Sequence, residues 1–375
     1  MTSAPAPEDD ARARVYHRCQ LGLFLAGLVL SVAYLLILIE TRAAARLAAL
    51  LASWTTAWWL ELGVVLLVLA AGYRLLTFPL AWLGGYWLPR HFGLLHQSLP
   101  RWLWDGAKAA LLAGTIGLLA VEVIYALLRL TRWWWLWGAA AFLAGYALLA
   151  LVAPIWLVPL FYRLTPLPDG PLRTRLVALA ARVGVPVTGV FVVDQSRKSR
   201  TANAAVTGLG RTRRVLLFDT LLQEFPPGEI EVVLAHELAH QIHGDIRRGL
   251  LVQGALTLVT FWIADAALRL GAVWPGVGGP ADPAGLPFLG LVLLLAGLAA
   301  LPVANGWSRH VERAADRFAL RTIEDPRLFI ATMERLAALN LAEREPHPLE
   351  EFFLYSHPSI ARRIAHARQF LNALT

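Results

Sequence analysis

Two histidines and a glutamate occur at a spacing suited to metal-dependent hydrolysis. His236 and His240 are four residues apart, and Glu237 directly follows the first of them. In a helix this spacing places both imidazoles on one face, where they can reach one metal ion, while Glu237 projects toward the side that a water on the metal would occupy. The pattern therefore predicts a helix that carries two zinc ligands and a general base.

A catalytic zinc ion usually takes three protein ligands and keeps the fourth position for water, so a third ligand is needed. Glu312 is the best candidate, because Asp316 lies one turn further on the same helical face and could fix the tautomer of a ligand histidine. His310 is the rival ligand, although an offset of two positions points it to another side of the helix. The plain alternative for Glu312 is an exposed ion pair with Arg309 or Arg313.

These residue types define a hydrolytic mechanism. Zinc held by two imidazoles and a carboxylate lowers the pKa of its water to about 7. Glu237 would take a proton as water attacks a peptide carbonyl and pass it to the leaving amine. His357, if it reaches the site, would hydrogen-bond the oxyanion. Taken alone, a histidine before proline is more often a loop or cap residue, and Arg363 a solvated residue on a helix face.

The elements that must position these residues form a small α+β unit. A Pro/Gly-rich segment at 164–170 leads into a helical pattern that ends near Val183. The β-branched runs Val185–Val193 and Val215–Phe218 predict two strands with a polar loop between them. The segment 226–229, with two prolines and a glutamate, predicts the start of the helix that carries the motif.

Composition places this unit in a membrane protein. Of the 375 residues, 57% are hydrophobic and only 16% are charged, whereas soluble domains carry about 25% charged residues. A soluble globular protein is therefore excluded. The single cysteine, Cys19, excludes an internal disulfide framework and a multi-cysteine metal site. The net charge of +8, almost entirely from arginine, favours positive-inside orientation over nucleic-acid binding, so we expect a lipid bilayer and no nucleic acid as partner.

Six apolar runs are long enough to cross a hydrocarbon core, which takes about 20 helical residues. They lie near 20–39, 57–82, 108–128, 135–162, 249–268 and 285–304. The first is interpreted as an uncleaved anchor, because it is too long for a signal peptide. The second ends in Phe78-Pro79, where it either kinks or continues as a re-entrant segment through Trp82–Trp87. The fold class is thus a mainly α, multi-span helical membrane protein with six spans, seven being left open.

Charge around the later spans predicts orientation. The basic residues that flank spans four to six on one side are Arg163, Arg247, Arg248, Arg309 and Arg313, whereas the turn 271–285 contains no Lys or Arg. The positive-inside rule then places the N-terminus and both polar blocks in the cytoplasm. We expect an integral protein of a bacterial plasma membrane whose catalytic parts face the cytoplasm.

Four units follow from these patterns. Residues 1–162 are expected to form an N-terminal membrane domain of four spans, and residues 163–248 the catalytic α+β part with the motif helix. Residues 249–304 are expected to form a two-span hairpin. Residues 305–375 form the C-terminal catalytic part with the third zinc ligand.

Several separate segments together resemble the type I CAAX prenyl proteases, integral-membrane zinc metalloendopeptidases, from the second span to the C-terminus. They are 159–167 at the membrane exit, Ser199-Arg-Thr-Ala-Asn-Ala204, Val215-Leu-Leu-Phe-Asp-Thr-Leu-Leu222, the helix with 236–240, Ser308-Arg-His-Val-Glu312 with Ala315-Asp316, and His357-Pro358 with Arg363. The resemblance implies a water-filled intramembrane chamber and a peptide or protein substrate.

The resemblance also implies roles for single residues. His236, His240 and Glu312 would hold one Zn²⁺ per chain, and Glu237 would be the general base. Asn203 and Ala204 would lie on a strand that holds the substrate backbone, while His357 and Arg363 would line the site near the oxyanion. The residues expected to support the ligands from behind are Asp316, Asp245 and Arg309.

Three features depart from well-known members of that family. Those members have seven spans, whereas six are predicted here. The segment His243-Gly244-Asp245 resembles the related bacterial heat-shock membrane proteases. The arginine-rich composition is typical of a high-GC bacterium, where prenylated proteins are not expected. The leading hypothesis is therefore a zinc endopeptidase acting on membrane-associated or unfolded proteins. The alternative is a transporter or lipid-binding membrane protein in which the motif helix is structural. The sequence does not determine the oligomeric state.

Overall fold

The computed structural model describes residues 7–208, 210–271 and 278–373, and within them the protein is mainly helical. Parts of the predicted N-terminal unit and of the predicted outward turn lie outside these residues, at 1–6 and 272–277. The helices are α1 (Pro7–Glu40), α2 (Ala43–Ala52), α3 (Trp58–Trp82), α4 (Leu88–His91), α5 (Leu99–Leu130), α6 (Trp134–Val152), α7 (Val158–Phe161), α8 (Pro171–Arg182), α9 (Asp219–Glu224), α10 (Pro227–His243), α11 (Asp245–Gly271), α12 (Leu286–Ile323), α13 (Pro326–Asn340), α14 (Pro348–Leu354) and α15 (Ile360–Asn372).

Six helical segments among the described residues are long and apolar enough to cross a membrane, which confirms the prediction of a multi-span helical protein. They are Asp10–Glu40, Trp58–His91, Leu99–Leu130, Trp134–Phe161, Asp245–Leu270 and Pro283–Ile323. Five of the six are longer than the apolar run that predicted them, because amphipathic turns continue the helix past the hydrocarbon core, whereas Trp134–Phe161 has the same length as its run. A further apolar helix, α2, is only ten residues long and was not predicted.

The second span continues through its proline. Pro79 lies inside α3, and a π-helical turn, Leu83–Trp87, joins α3 to α4. The fourth span has the same construction, with the π-helical turn Ala153–Leu157 between α6 and α7. Proline lacks a backbone N–H, and a widened turn is one way for a helix to absorb the missing hydrogen bond.

The small sheet has four strands in the order β1 (Leu164–Pro166), β2 (Val190–Val193), β4 (Arg214–Phe218) and β3 (Ala204–Thr207). Strands β2 and β4 are parallel, and β1 and β3 are antiparallel to their neighbours. The prediction of strands at 185–193 and 215–218 is therefore right in kind, although the first strand begins only at Val190. Among the described strands β3 pairs only with β4, so it forms one edge of the sheet.

Two helices dominate the packing around the sheet. α10 lies against α12 and contributes Ile230, Leu234 and Leu238 to a buried apolar cluster that also contains Leu217 of β4. α12 is 38 residues long, so a single helix crosses the membrane and then continues into the catalytic part. The boundary predicted at 304/305 is consequently a change of composition within a continuous helix, as is the boundary at 248/249 within α11.

Candidate functional site

Local sequence determines where the motif helix begins and ends. Pro227 occupies the first turn of α10, where a missing N–H is no loss, and Glu229 lies in the same turn. Gly244 ends the helix with φ 66°, a left-handed conformation that glycine adopts without strain. The apolar face of α10 is buried in the core, so its position relative to α12 is fixed by packing.

Three potential metal ligands converge between α10 and α12. The Nε2 atom of His236 lies 3.1 Å from Oε2 of Glu312, and Nε2 of His240 lies 3.6 Å from Oε1 of Glu312. One ligand atom of each residue lies within 4.8 Å of the others. His236 and Glu312 are buried, and His240 is partly buried. Two imidazole nitrogens and a carboxylate oxygen in this arrangement are a donor set that zinc prefers.

Carboxylates hold both imidazoles from behind. Nδ1 of His236 lies 2.9 Å from Oδ1 of Asp316, and Nδ1 of His240 lies 2.9 Å from Oδ2 of Asp245. With Nδ1 donating to a carboxylate, each ring keeps Nε2 for a metal ion. Both the positions of the donor atoms and the tautomers of the two histidines therefore fit a zinc ion.

The charge around His236 is strongly negative when no cation is bound. Burial alone would lower the pKa of His236, but hydrogen bonds to Asp316 and Glu312 outweigh burial and raise it to about 9. A proton on this ring thus balances the surrounding carboxylates in the metal-free protein. A divalent cation would take over that role.

Arg363 of α15 contacts both Asp316 and His236. Its Nε and a terminal nitrogen donate to the two oxygens of Asp316, at 2.9 and 2.6 Å. The same guanidinium lies 3.5 Å from Nδ1 of His236. This bidentate contact fixes the Asp316 carboxylate behind the ring.

Glu237 is partly buried in α10 beside the convergent ligands. Burial raises the pKa of its carboxyl group above the ordinary value, although the neighbouring His236 and His240 act in the opposite direction. A carboxylate whose pKa is moved toward neutrality is a better proton acceptor than an ordinary exposed glutamate.

His357 reaches the edge of the same site. Its Nε2 atom lies 3.4 Å from Oε1 of Glu312, while Nδ1 lies 2.9 Å from the Ser356 hydroxyl. The side chain is 59% exposed, so part of the ring faces open space. Ser356 did not stand out in the sequence, because a serine next to a histidine carries no distinctive spacing.

Arg309 is buried but contacts none of the three convergent residues. It donates to the backbone carbonyls of Glu351 at 2.7 Å and Tyr355 at 2.5 Å. Arg309 therefore ties α12 to the end of α14, the segment that leads directly into His357. The family resemblance implied that Arg309 supports the ligands; its guanidinium instead reaches across to the carbonyls at the end of α14, behind the loop that carries His357.

The residues expected to hold substrate lie at the β3 edge of the sheet. Asn203 is exposed and immediately precedes β3, whereas Ala204, the first residue of the strand, is buried. The side chain of Asn203 accepts a hydrogen bond from the backbone N–H of Ala204 at 2.9 Å.

His310 is not brought to the convergent ligands. It is exposed and stacks on the ring of Trp307. One further group among the described residues, His17, Glu343 and Glu350, also brings a histidine and two carboxylates together, but it lies apart from the motif helix.

Comparison with known families covers both parts of the chain. Residues 166–371 match the family model for peptidase family M48. Residues 5–163 match the model described as the CAAX prenyl protease N-terminal region with five membrane helices. In the described part of this region, four long apolar helices and the short helix α2 are present.

Individual proteins give the same result. An uncharacterized metalloprotease of Bacillus subtilis, YhfN, is 29% identical over 311 residues, which is 82% of this chain and 73% of that protein. CAAX prenyl protease 1 of Saccharomyces cerevisiae is 30% identical over 312 residues, covering 77% and 68%. The crystal structure of S. mikatae Ste24p superposes with a TM-score of 0.83 at 25% identity, covering 96% of this chain and 88% of that one.

Proposed function

We propose, from the premise that this chain belongs to peptidase family M48 and is an integral-membrane metalloendopeptidase, that one zinc ion per chain is held by His236, His240 and Glu312. The observation that carries this proposal is the approach of Nε2 of both histidines to the Glu312 carboxylate. Family M48 peptidases are metalloproteases, and the imidazole and carboxylate donors here favour zinc. The alternative of a transporter or lipid-binding protein is not favoured by these matches.

When bound there, the zinc ion would supply Lewis acidity and a water of lowered pKa. The protein's own task is to present the donors in the right protonation state. Asp316 and Asp245 do this by accepting from Nδ1 of His236 and His240. Arg363 in turn fixes Asp316, so the orientation of His236 depends on residues from three helices.

Glu237 carries the proton in this mechanism. It takes a proton from the attacking water and gives it to the amine that leaves when the peptide bond breaks. Its raised pKa, caused by burial, makes both transfers easier near neutral pH. Because Glu237 is not one of the convergent ligands, its role is separable from metal binding.

His357 stabilises the negative charge that develops on the carbonyl oxygen. The Nδ1 atom of His357 is hydrogen-bonded to Ser356, and much of the ring is exposed. Nε2 is therefore the nitrogen available to a substrate at the open side of the site. Arg363 acts indirectly, because it holds the Asp316 carboxylate in place. Arg309 positions His357 through the backbone of residues 351–355.

The substrate is a peptide segment that lies in an extended conformation against β3. The edge of β3 that faces away from β4 offers backbone hydrogen bonds beside the two groups already bonded there, the Ala204 N–H to Asn203 and the Val206 carbonyl to Gln241. Asn203 and Ala204 lie at the start of this edge. The surrounding spans favour membrane-associated or unfolded proteins as substrates. A CAAX-like substrate, as in the name of the S. cerevisiae relative, is included in this proposal.

The membrane is a bacterial plasma membrane, and the catalytic parts face the cytoplasm. The match to YhfN of Bacillus subtilis supports a bacterial setting. Arginines 247, 248, 309 and 313 lie at one end of the last two spans, and the positive-inside rule puts that end in the cytoplasm.

Hydrolysis of a quenched fluorescent peptide by the purified protein in detergent tests the function. We expect activity with one equivalent of zinc, loss after chelation and recovery on adding zinc back. Glu237→Gln is the matched control for a contaminating protease. Equal hydrolysis by wild type and Glu237→Gln would contradict the proposal.

A further inference from the structure

We infer that a cavity beside the zinc ligands binds a carboxylate group of the substrate through Arg213 and Arg247; this inference rests on the proposed function and names a feature of its substrate. The cavity has a volume of about 760 Å³ and lies where α6, α10, α11 and α12 meet. His240 and Glu312 form one of its walls, so a group bound there belongs to the same ligand as the scissile bond.

Two guanidinium groups line this cavity without a counter-charge. No acidic group among the described residues forms an ion pair with Arg213 or Arg247. The two acids on the cavity wall are committed elsewhere, because Asp245 holds Nδ1 of His240 and Glu312 is a proposed zinc ligand. With zinc bound, the cavity is therefore electropositive.

The guanidinium of Arg213 is held toward the cavity by the motif helix. Its Nε donates to Oε1 of Gln241 at 3.2 Å, and Gln241, the residue after His240, donates to the carbonyl of Val206 at 3.1 Å. Arg213 is only partly exposed. A partly buried cation without an anion is costly, whereas a carboxylate would match the planar guanidinium with two parallel hydrogen bonds.

Arg247 reaches the same cavity because the preceding turn contains glycine. A side chain at Gly244 would place its Cβ 3.1 Å from a terminal nitrogen of Arg247. The guanidinium of Arg247 therefore lies over the turn at Gly244 that ends α10. Two cations from different elements, Arg213 before β4 and Arg247 in α11, therefore face one space.

Part of the cavity wall is apolar. Ala147, Ala150 and Leu151 of α6 and Leu250 of α11 form this part, while Tyr146 and Gln253 add polar groups. An apolar residue of the substrate fits this wall while a neighbouring carboxylate reaches the arginines. The carboxylate is either the free C-terminus of the substrate or the side chain of an aspartate or glutamate.

Peptide binding to the zinc-loaded Glu237→Gln protein tests this inference without requiring catalysis. Four decapeptides with the same Leu- and Ala-rich sequence, each labelled with an uncharged fluorophore, serve as probes: one neutral with an amidated C-terminus, one with a free C-terminal carboxylate, and two amidated peptides with one Gln replaced by Glu near either end. We expect one acidic peptide to bind about tenfold more tightly than the neutral one in fluorescence anisotropy, as a charge-assisted bidentate contact would give.

Arginine variants then assign that gain to the cavity. Arg213→Gln, in the Glu237→Gln background, should reduce the affinity ratio of acidic to neutral peptide to about one or two, and Arg213→Lys should restore only part of it. Arg321→Gln is the matched control, since Arg321 is exposed on α12 outside the cavity and its loss changes the net charge equally. This control should keep the ratio.

The outcomes separate the inference from the proposed function. Equal affinities of all four peptides, or a ratio that the Arg213→Gln/Arg247→Gln double variant retains, would overturn the carboxylate site. A ratio lost equally in Arg321→Gln would also overturn it, because general attraction to a basic protein would then explain the gain. Absence of hydrolysis by zinc-loaded wild type, with the affinity ratio intact, would contradict the protease function and leave the binding site supported.

Discussion

The carboxylate of Asp316 lies directly behind the imidazole of His236, with Oδ1 2.9 Å from Nδ1. The same oxygen accepts from Arg363 at 2.6 Å. One buried carboxylate on α12 therefore determines both the tautomer of His236, a proposed zinc ligand on α10, and the position of an arginine on α15. Its side chain is only 3% exposed, so water cannot replace either contact.

We predict that Asp316→Asn weakens zinc binding about 10- to 100-fold, the usual effect of losing a group that orients a ligand histidine. Asparagine has nearly the same size but can neither balance Arg363 nor polarise the ring. Competition with a fluorescent zinc chelator measures the dissociation constant. Asp169→Asn, at a position 89% exposed, should leave it unchanged, and an unaltered affinity in Asp316→Asn would contradict the role of this contact.

Zinc binding should release a proton at neutral pH. The pKa of His236 in the metal-free protein is raised to about 9, so at pH 7 the ring is protonated and must become neutral to bind metal. Titration calorimetry in two buffers of different ionisation enthalpy should show release of about one proton per zinc at pH 7. The release should decline as the pH rises through about 9.

The same raised pKa predicts how the stability of the metal-free protein changes with pH. A pKa raised in the folded state stabilises it below the ordinary pKa of about 6.5, and this contribution is lost as the pH rises through about 9. In Asp316→Asn the pKa of His236 should fall, and fewer protons should be released at pH 7. Equal proton release by wild type and variant would contradict this explanation.

Replacing Glu237 should separate metal binding from catalysis. Glu237→Gln is expected to keep one zinc per chain and lose peptide hydrolysis, because the amide cannot accept a proton from water. His236→Ala should lose both. Zinc content by atomic emission and hydrolysis of a quenched peptide are the measurements, and circular dichroism checks folding. Loss of zinc in the two folded variants to the same extent would mean that the roles are assigned wrongly.

Glu312→Gln should weaken zinc binding far more than His310→Asn. Glu312 is buried between the two histidines, whereas His310 is exposed against Trp307. Because both variants change one residue of the same helix, general destabilisation of α12 would affect both. A larger loss of zinc in His310→Asn, measured by the same chelator competition, would reverse the choice of third ligand.

How far the sequence predicts this site depends on the range of the interactions. The spacing of His236 and His240 is a local property of one helix, so it could be interpreted directly. Glu312 could be proposed because Asp316 shares its helical face. The roles of Arg363 and Arg309 depend on where α14 and α15 pack against α12, and nothing in their own neighbourhood predicts that a guanidinium will reach Asp316 or the carbonyl of Tyr355.

The same distinction between local and long-range interactions applies to the fold. Long apolar runs predict spans well, because twenty apolar residues have few alternatives. Short strands are predicted less well: β1 lies in a Pro/Gly-rich segment that favoured a loop. β3 lies within the stretch that the residue pattern predicted as a polar loop, where only the family resemblance implied a strand. Both become strands only because β2 and β4 supply partners. The strand predicted from Val185 begins at Val190 instead, after Pro186, whose missing N–H cannot join a ladder.

The orientation of the protein can be tested with single cysteines in a Cys19→Ser background. Position 280 lies in the connection between the last two spans, and position 327 lies in α13 of the catalytic part; both are exposed. If arginines 247, 248, 309 and 313 mark the cytoplasmic end of these spans, a membrane-impermeant maleimide should label Pro280→Cys in intact cells and Arg327→Cys only after permeabilisation. The reverse pattern would put the active site on the outer face. Labelling of both in intact cells would mean that both positions face the outside and that Pro283–Ile323 does not cross the membrane between them, which contradicts the proposed six-span topology.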